Sequence, residues 1–170
     1  MFVPCSVIER VRAKEAISPA EVKTYFDERP PVHPGFMLGE WQGLAVLTGN
    51  KLVGVLHSVK WAGKNFYGVD QVEPMVCLDD NGCRFCNPNW GGARVRCPLF
   101  PLYYQRLIVK IREIKCNDTV SAAMVYNQRP VIDHFRYVDE NTVIGVMESL
   151  DHDKSSQDED CLYFTLERIK

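Results

Sequence analysis

The residue pattern from position 106 onward limits the possible folds of this chain most strongly. Apolar and polar side chains alternate there with a period of two, which is typical of β-strands with one buried face. Segments rich in turn-forming residues separate five strand candidates, at 106–114, 119–126, 131–138, 143–149 and 161–168. The sequence therefore predicts an antiparallel meander over 106–170.

The preceding residues divide into a helical part, about 6–66, and an irregular part, 67–105. Residues 6–16 have an amphipathic pattern, and a second helix is marked by Ser18 as N-cap with Pro19 at the first helical position. A third helix is favoured after residues 48–50, with a strand as the alternative. The helix is indicated by apolar residues at helical spacing, namely Leu52, Val55, Leu56 and Val59. The irregular part predicts loops with two short strands.

A tryptophan stands between two glycines in the segment Gly39-Glu40-Trp41-Gln42-Gly43. Glycine is common where the backbone bends sharply or approaches a neighbour closely. We therefore expect the indole of Trp41 to lie across the end of a closing sheet that curves around a pocket. Together with the helical part, this predicts a single α+β domain over residues 1–170, in which N-terminal helices cover a curved antiparallel sheet.

Composition argues against several partners and compartments. The 170 residues have a net charge of −2 and no basic block longer than a pair, which argues against nucleic acid. No apolar run approaches the ~18–20 residues of a membrane span. The N-terminal residues lack the order of a signal peptide, and seven cysteines are an odd count that fits reduced thiols. We expect a cytoplasmic protein; its oligomeric state is not predicted.

A register argument for the predicted hairpins brings two acids together. A turn at residues 140–141 places Val138 opposite Val143, and Asp133 then lies opposite Glu148. Two carboxyl groups ~5 Å apart on an apolar face cannot both ionise easily, so one keeps its proton. Such a pair is suited to general acid–base catalysis. The alternative is that Glu148 points to water while Asp133 bonds a buried hydroxyl or lysine.

The neighbouring hairpin adds further candidates to the same face. A turn at residues 127–130 places Met124 opposite Asp133, with Tyr126 and Phe135 on that face. These side chains predict the wall of the pocket.

Lys64 lies between two aromatic residues, Trp61 and Phe66. It could neutralise the carboxyl pair or anchor an anionic head group, or it could be an ordinary lysine in an exposed loop. Trp41 and Trp61 could form the base of the pocket, although core packing is the commoner role of tryptophan.

The cysteines and histidines give no firm metal site. Among Cys77, Cys83, Cys86 and Cys97, only Cys83 and Cys86 have the close spacing of zinc ligands, so reduced thiols are the simpler interpretation. The histidines at 33, 57, 134 and 152 have no ligand spacing. We predict no metal and no cofactor, with zinc and a haem-ligating histidine as alternatives.

Several segments resemble a known pair of families. Residues 36–43 and 61–66 resemble the GXWXG protein family. Three later segments resemble the uncharacterised C-terminal domain that accompanies it, namely 121–126, 130–136 and 139–148. A looser similarity to lipocalins and nitrobindin-like barrels implies a lipocalin-like barrel or half-barrel with an internal pocket and, for nitrobindins, a haem. The cysteine-bearing segment 77–97 departs from the family.

The resulting hypothesis is an intracellular protein that binds a small, mostly apolar molecule, such as a lipid, terpenoid or polyketide. The alternative is a cofactor-free isomerase, cyclase or epoxide-opening hydrolase in the same pocket. Candidate catalytic residues are Asp133, Glu148 and Tyr126. Candidate ligand-binding residues are Trp41, Trp61, Lys64, Met124 and Phe135.

Overall fold

The computed structural model describes residues 6–87, 109–126, 129–149 and 161–170. The helices are α1 (Val7–Arg12), α2 (Pro19–Asp27), a 3-10 helix (Pro34–Met37) and α3 (Lys51–Ser58). The strands are β1 (Gly39–Ala45), β2 (Trp61–Gly68), β3 (Gln71–Leu78), β4 (Arg84–Cys86), β5 (Val109–Cys116), β6 (Thr119–Tyr126), β7 (Val131–Asp139), β8 (Thr142–Ser149) and β9 (Leu162–Arg168). The predicted α+β class is confirmed.

Each α-helix begins at a polar side chain that caps its free N–H groups. Ser6 and Ser18 each accept a hydrogen bond from the backbone N–H three residues further on, and Asn50 accepts one from the N–H of Leu52. The helices predicted after Ser18 and Asn50 are therefore confirmed. No helix in the described ranges is long and apolar enough to cross a membrane.

All nine strands belong to one sheet, in the order β4-β3-β2-β1-β9-β8-β7-β6-β5. Each pairing in it is antiparallel, and β5 to β9 form the predicted meander. The sheet curls so strongly that β5 reaches the turn between β2 and β3, where the N–H of Ile111 donates to the carbonyl of Val69 at 2.9 Å. The result is a half-barrel.

Two parts of the predicted element boundaries were wrong. The range 6–66, predicted as mainly helical, also contains β1 and the first six residues of β2, because their backbones pair with each other and with β9 and β3. The range 67–105, predicted as loops with two short strands, contains two strands in its described part, but β3 has eight residues and is not short, while β4 has three. Residues 88–108 lie outside the described part of the chain.

A segment after α2, residues 30–37, closes one end of the half-barrel and is called the wedge here. It enters between β6 and β7: the carbonyl of Pro30 accepts from the N–H of Tyr137 at 2.9 Å, and that of Val32 from the N–H of Ala122 at 2.7 Å. Prolines at 30 and 31 end the helix, as expected, but their segment also supplies hydrogen bonds to the strands.

The wedge and the inner face of the sheet form the largest core cluster, while α1 and α2 cover the outer face. The inner cluster includes Met37, Trp41, Phe66, Ile111, Met124, Phe135, Phe164 and Leu166. The outer cluster includes Val11, Val22, Phe26, Ile144, Val146 and Tyr163. Because side chains alternate along a strand, β8 and β9 contribute to both clusters.

The predicted register of the β7–β8 hairpin was wrong by one residue. Near the turn, Asp139 pairs with Thr142 as expected, but an irregularity leaves Val138 out of the ladder. From there on the pairing is shifted, so Asp133 lies opposite Met147 and not opposite Glu148. A β-bulge of this kind exchanges the faces of all the residues beyond it on one strand relative to the other. The register between β6 and β7, with Met124 opposite Asp133, is confirmed.

Candidate functional site

A cavity of about 510 Å³ lies between α3 and the inner face of the half-barrel, beyond the packed core. This volume is in the range of pockets that hold small organic molecules. Its walls are mainly aliphatic and aromatic. The described lining residues are Leu52, Leu56, Trp61, Lys64, Met75, Tyr126, Arg129, Pro130, Val131, Asp133, Met147, Ser149, Leu162 and Phe164.

A buried ion pair provides the main polar feature of this cavity. The Nζ atom of Lys64 lies 2.9 Å from Oδ2 of Asp133. Only 3% of Lys64 and 1% of Asp133 is exposed. A charge this deep in a protein is tolerated only when it is paired and hydrogen-bonded, so the two side chains depend on each other.

Irregular pairing between β2 and β3 brings Lys64 to the cavity. The register shifts on both sides of Gly63, and Pro74 lies in β3 within the shifted part. Proline has no N–H to give to the ladder, and its carbonyl accepts a hydrogen bond from Nζ of Lys64 at 3.1 Å. The bulged backbone thus positions the lysine and also supplies one of its acceptors.

Tyr126 completes the polar cluster. Its hydroxyl accepts a hydrogen bond from Nζ of Lys64 at 3.3 Å and donates one to Oδ2 of Asp133 at 3.1 Å. Burial, followed by the neighbouring Asp133 carboxylate, raises the pKa of Tyr126 well above its ordinary value. The phenol therefore stays protonated at neutral pH and can act as a hydrogen-bond donor.

Two aromatic rings stand beside this cluster in the cavity wall. The rings of Trp61 and Phe164 meet edge to face, with centroids 5.8 Å apart, and Nζ of Lys64 lies 5.1 Å from the Phe164 centroid. Each ring occupies space above a glycine. A Cβ at Gly43 would approach the Trp61 ring to 2.3 Å, and one at Gly145 would approach Phe164 to 2.4 Å. The two glycines therefore make room for the aromatic wall.

Two buried polar atoms of the lining residues have no hydrogen-bond partner within the described ranges. They are Oδ1 of Asp133 and Nε1 of Trp61. One can only accept a hydrogen bond and the other can only donate. A buried polar atom without a partner is unfavourable, and such atoms beside a cavity indicate where a ligand could bond.

The structure brings together four of the eight site residues predicted from the sequence. Trp61, Lys64, Tyr126 and Asp133 line the cavity. Three others belong to the packed core nearer the wedge, namely Trp41, Met124 and Phe135. The indole N–H of Trp41 donates to the carbonyl of Met37 at 2.7 Å, so this ring fixes the wedge and does not border the cavity.

Glu148 is separated from the cluster by the bulge at Val138. Its side chain is 49% exposed, and its Oε2 lies 2.7 Å from Nε2 of the buried His134. In β7, His134 follows Asp133 directly, so the two side chains point to opposite faces of the strand. The predicted carboxyl pair of Asp133 and Glu148 is therefore wrong, and Lys64 is the actual partner of Asp133.

Sequence reasoning missed several residues of the site. Phe164 and Leu162 lie on alternate positions of a predicted strand, which was a usable signal for one shared face. Leu52 and Leu56 lie on the predicted helical stripe, but nothing in the stripe indicated which surface it covers. Pro74 gave no signal, because its role depends on a carbonyl and not on its side chain.

The cysteines do not form an evident metal centre in the described ranges. No cluster of three or more His, Cys, Asp or Glu side chains with metal-binding geometry occurs in them. Burial raises the pKa of Cys77, and it raises that of Cys86 to about 11. Both thiols are therefore protonated at neutral pH in the metal-free protein. Cys97 and His152 lie outside the described part of the chain.

Fold and cavity together define a class: a small antiparallel half-barrel protein with an internal pocket and one buried ion pair in its wall. Residues 24–82 match the model of the GXWXG protein family, and residues 109–168 match that of the domain of unknown function DUF4334. A crystal structure of a protein from Thermomonospora curvata is 32% identical, with 96% of each chain covered and a TM-score of 0.77. The chain thus belongs to the GXWXG family and carries a DUF4334 domain. No curated protein matches it.

Proposed function

We propose that this protein is a cytoplasmic binding protein for a small, mostly apolar molecule, held in the cavity beside α3. The observation that carries the proposal is a cavity of about 510 Å³ whose described lining is mainly apolar, with its polar groups gathered around Lys64 and Asp133. Binding pockets commonly combine apolar walls with a few polar groups that fix orientation. A lipid, terpenoid or polyketide of suitable size fits this description.

The position of α3 gives the cavity an apolar cover, which supports a binding role. Leu52 and Leu56 extend from the helix over the cavity, while Met75 and Leu162 of the sheet face them. An apolar molecule in the cavity would lose its own contact with water, and each Å² of its apolar surface that is buried contributes about 25 cal/mol. The cavity thus offers a driving force for binding as well as space.

A fluorescent apolar probe tests the proposal directly. Met147 lies on the inner face, directly opposite Asp133, and lines the cavity. We expect Nile red to bind to the wild-type protein and Met147→Trp to weaken that binding about tenfold or more, because the indole fills the cavity. The matched control is Val120→Trp, which adds the same ring at an exposed position, 53% accessible. Equal binding by both variants, or no binding by the wild type, would contradict the proposal.

A second candidate function rests on Tyr126 and Asp133. The phenol donates a hydrogen bond to the carboxylate in the cavity wall, at 3.1 Å. In a cofactor-free isomerase, cyclase or epoxide-opening hydrolase, Asp133 would take a proton from the substrate and Tyr126 would give one. The corrected register removes Glu148 from this mechanism. Turnover of a candidate substrate that Asp133→Asn abolishes, while ligand affinity is kept, would favour catalysis over binding.

A further inference from the structure

Protein oxygens already surround the ammonium group of Lys64. An ammonium has three N–H bonds. Three protein acceptors lie around Nζ: Oδ2 of Asp133 at 2.9 Å, the carbonyl of Pro74 at 3.1 Å and the hydroxyl of Tyr126 at 3.3 Å. The lysine therefore holds the polar cluster together, and Asp133 neutralises its charge. Of the alternatives that the sequence offered for Lys64, this geometry favours the counter-ion of a carboxylate over an anchor for an anionic head group.

The hydroxyl of Tyr126 is likewise engaged in both directions. It accepts from Lys64 and donates its one proton to Asp133. Two buried polar atoms in the cluster and beside it have no partner among the described residues, namely Oδ1 of Asp133, an acceptor, and Nε1 of Trp61, a donor. A matching ligand has both a donor and an acceptor.

The charges of the site point to a neutral ligand. Lys64 and Asp133 cancel each other, and both are almost completely buried. The other charged residue among the described lining residues is Arg129, which is exposed at the cavity rim. An ionised carboxylate placed next to Asp133 would be a second buried negative charge without a partner, which is strongly unfavourable.

We propose that the cavity selects neutral apolar molecules that carry a hydroxyl group, such as an alcohol, a phenol or an enol, with the hydroxyl proton donated to Oδ1 of Asp133. The hydroxyl oxygen accepts from Nε1 of Trp61. Hydrogen bonds to a charged acceptor are stronger than neutral ones, so this contact distinguishes the hydroxyl compound from its ether and its hydrocarbon. The inference rests on the proposed function, because it names the ligand class of the same cavity.

The test uses four compounds with one carbon skeleton: farnesol, its methyl ether, farnesoic acid and farnesene. Each displaces Nile red from the full-length protein at about pH 8, where the acid is ionised. We expect farnesol to bind at least about tenfold more tightly than the ether and the acid, a difference equal to ~1.4 kcal/mol. Equal affinities, or tightest binding of the acid, would overturn the inference.

Asp133→Asn tests whether the selectivity depends on the carboxylate of Asp133. In Asp133→Asn, an amide N–H replaces an acceptor oxygen, so we expect the preference for farnesol over its methyl ether to be lost. The matched control is Glu148→Gln, the equivalent acid-to-amide change on the outer face, which keeps the preference. Retention of the preference in Asp133→Asn, with circular dichroism showing a folded protein, would overturn the inference.

Trp61→Phe keeps the test decisive if Asp133→Asn does not fold. This variant preserves an aromatic ring and removes the indole N–H. We expect farnesol and the ether each to lose severalfold in affinity while farnesene is unaffected. Parallel losses for all three compounds would mean that only shape is recognised and would overturn the inference.

Failure of the inference is distinguishable from failure of the proposed function. If farnesene binds as tightly as farnesol, the cavity binds apolar molecules and only the hydroxyl selectivity is wrong. If neither Nile red nor any of the four compounds binds, the cavity is not a binding site for such molecules and both proposals fall.

Discussion

The two ends of the inner face of the sheet use similar side chains for different purposes. At the wedge end, the indole of Trp41 is completely buried, and its N–H donates to the carbonyl of Met37. At the α3 end, the indole of Trp61 borders a cavity, and its N–H has no partner within the described ranges. The wedge makes the difference, because it brings backbone acceptors to one end of the sheet. A tryptophan with its hydrogen bond satisfied stabilises the fold, whereas one without it is available to a ligand.

The largest expected effect tests this contrast between the two tryptophans. Trp41→Ala removes a ring from a packed core and should lower the free energy of unfolding by ~3–5 kcal/mol. Trp61→Ala should cost clearly less, because part of its ring already borders the cavity and contacts no protein atoms there. Urea denaturation followed by circular dichroism measures both. Equal losses would contradict the distinction between a packed end and an open end.

A smaller effect is expected at Phe164, which belongs to both the packed core and the cavity wall. Gly145→Ala places a methyl group against this ring and should lower the free energy of unfolding by ~1–3 kcal/mol. The displaced ring should also weaken Nile red binding. Gly68→Ala is the control, because a Cβ there has open space around it. If both variants behave alike in unfolding and in probe binding, Gly145 does not position the aromatic wall.

The smallest effect concerns the pH dependence of stability at the open end. Because the pKa of Tyr126 is raised in the folded state, its contribution is complete below the ordinary phenol pKa of 10.0 and is lost as the pH rises above it. Tyr126→Phe should cost ~0.5–1.5 kcal/mol at neutral pH through its lost hydrogen bonds. The difference from wild type should shrink above pH 10.0. Urea midpoints at neutral and alkaline pH measure this, and a constant difference would mean that the phenol is not buried as described.

Local signals in the sequence predicted much of the fold. The helix caps at Ser18 and Asn50 depend on residues close in sequence. The strands of the meander follow from a simple alternation of apolar and polar side chains. The wedge was not predictable, because the carbonyls of Pro30 and Val32 bond to strands that are distant in sequence. The boundary of β2 was missed because its bulges interrupt the period of two.

The candidate site was also predicted only in part, because only contacts between residues close in sequence leave a local signal. Tyr126, Asp133 and Met124 were placed on one face, because a short turn fixes their register. Glu148 was misplaced because the bulge at Val138 lies between it and Asp133, and an extra residue of ordinary composition leaves no mark in the sequence. Lys64 was noticed through its aromatic neighbours, and neutralisation of the carboxyl pair was one of its predicted roles. Asp133 lies on a non-adjacent strand, so the choice among those roles needed coordinates.

The bulge at Val138 also affects how this hairpin can change in length. Val138 lies outside the ladder, and its neighbours on both sides are already paired with β8. Deletion of Val138 would therefore leave the other cross-strand partners as they are, straighten the strand and remove one side chain that packs against the outer cluster. A homologue that lacks this residue can keep the equivalent of Asp133 inside the half-barrel. A gap at this position of an alignment therefore does not indicate a different pocket.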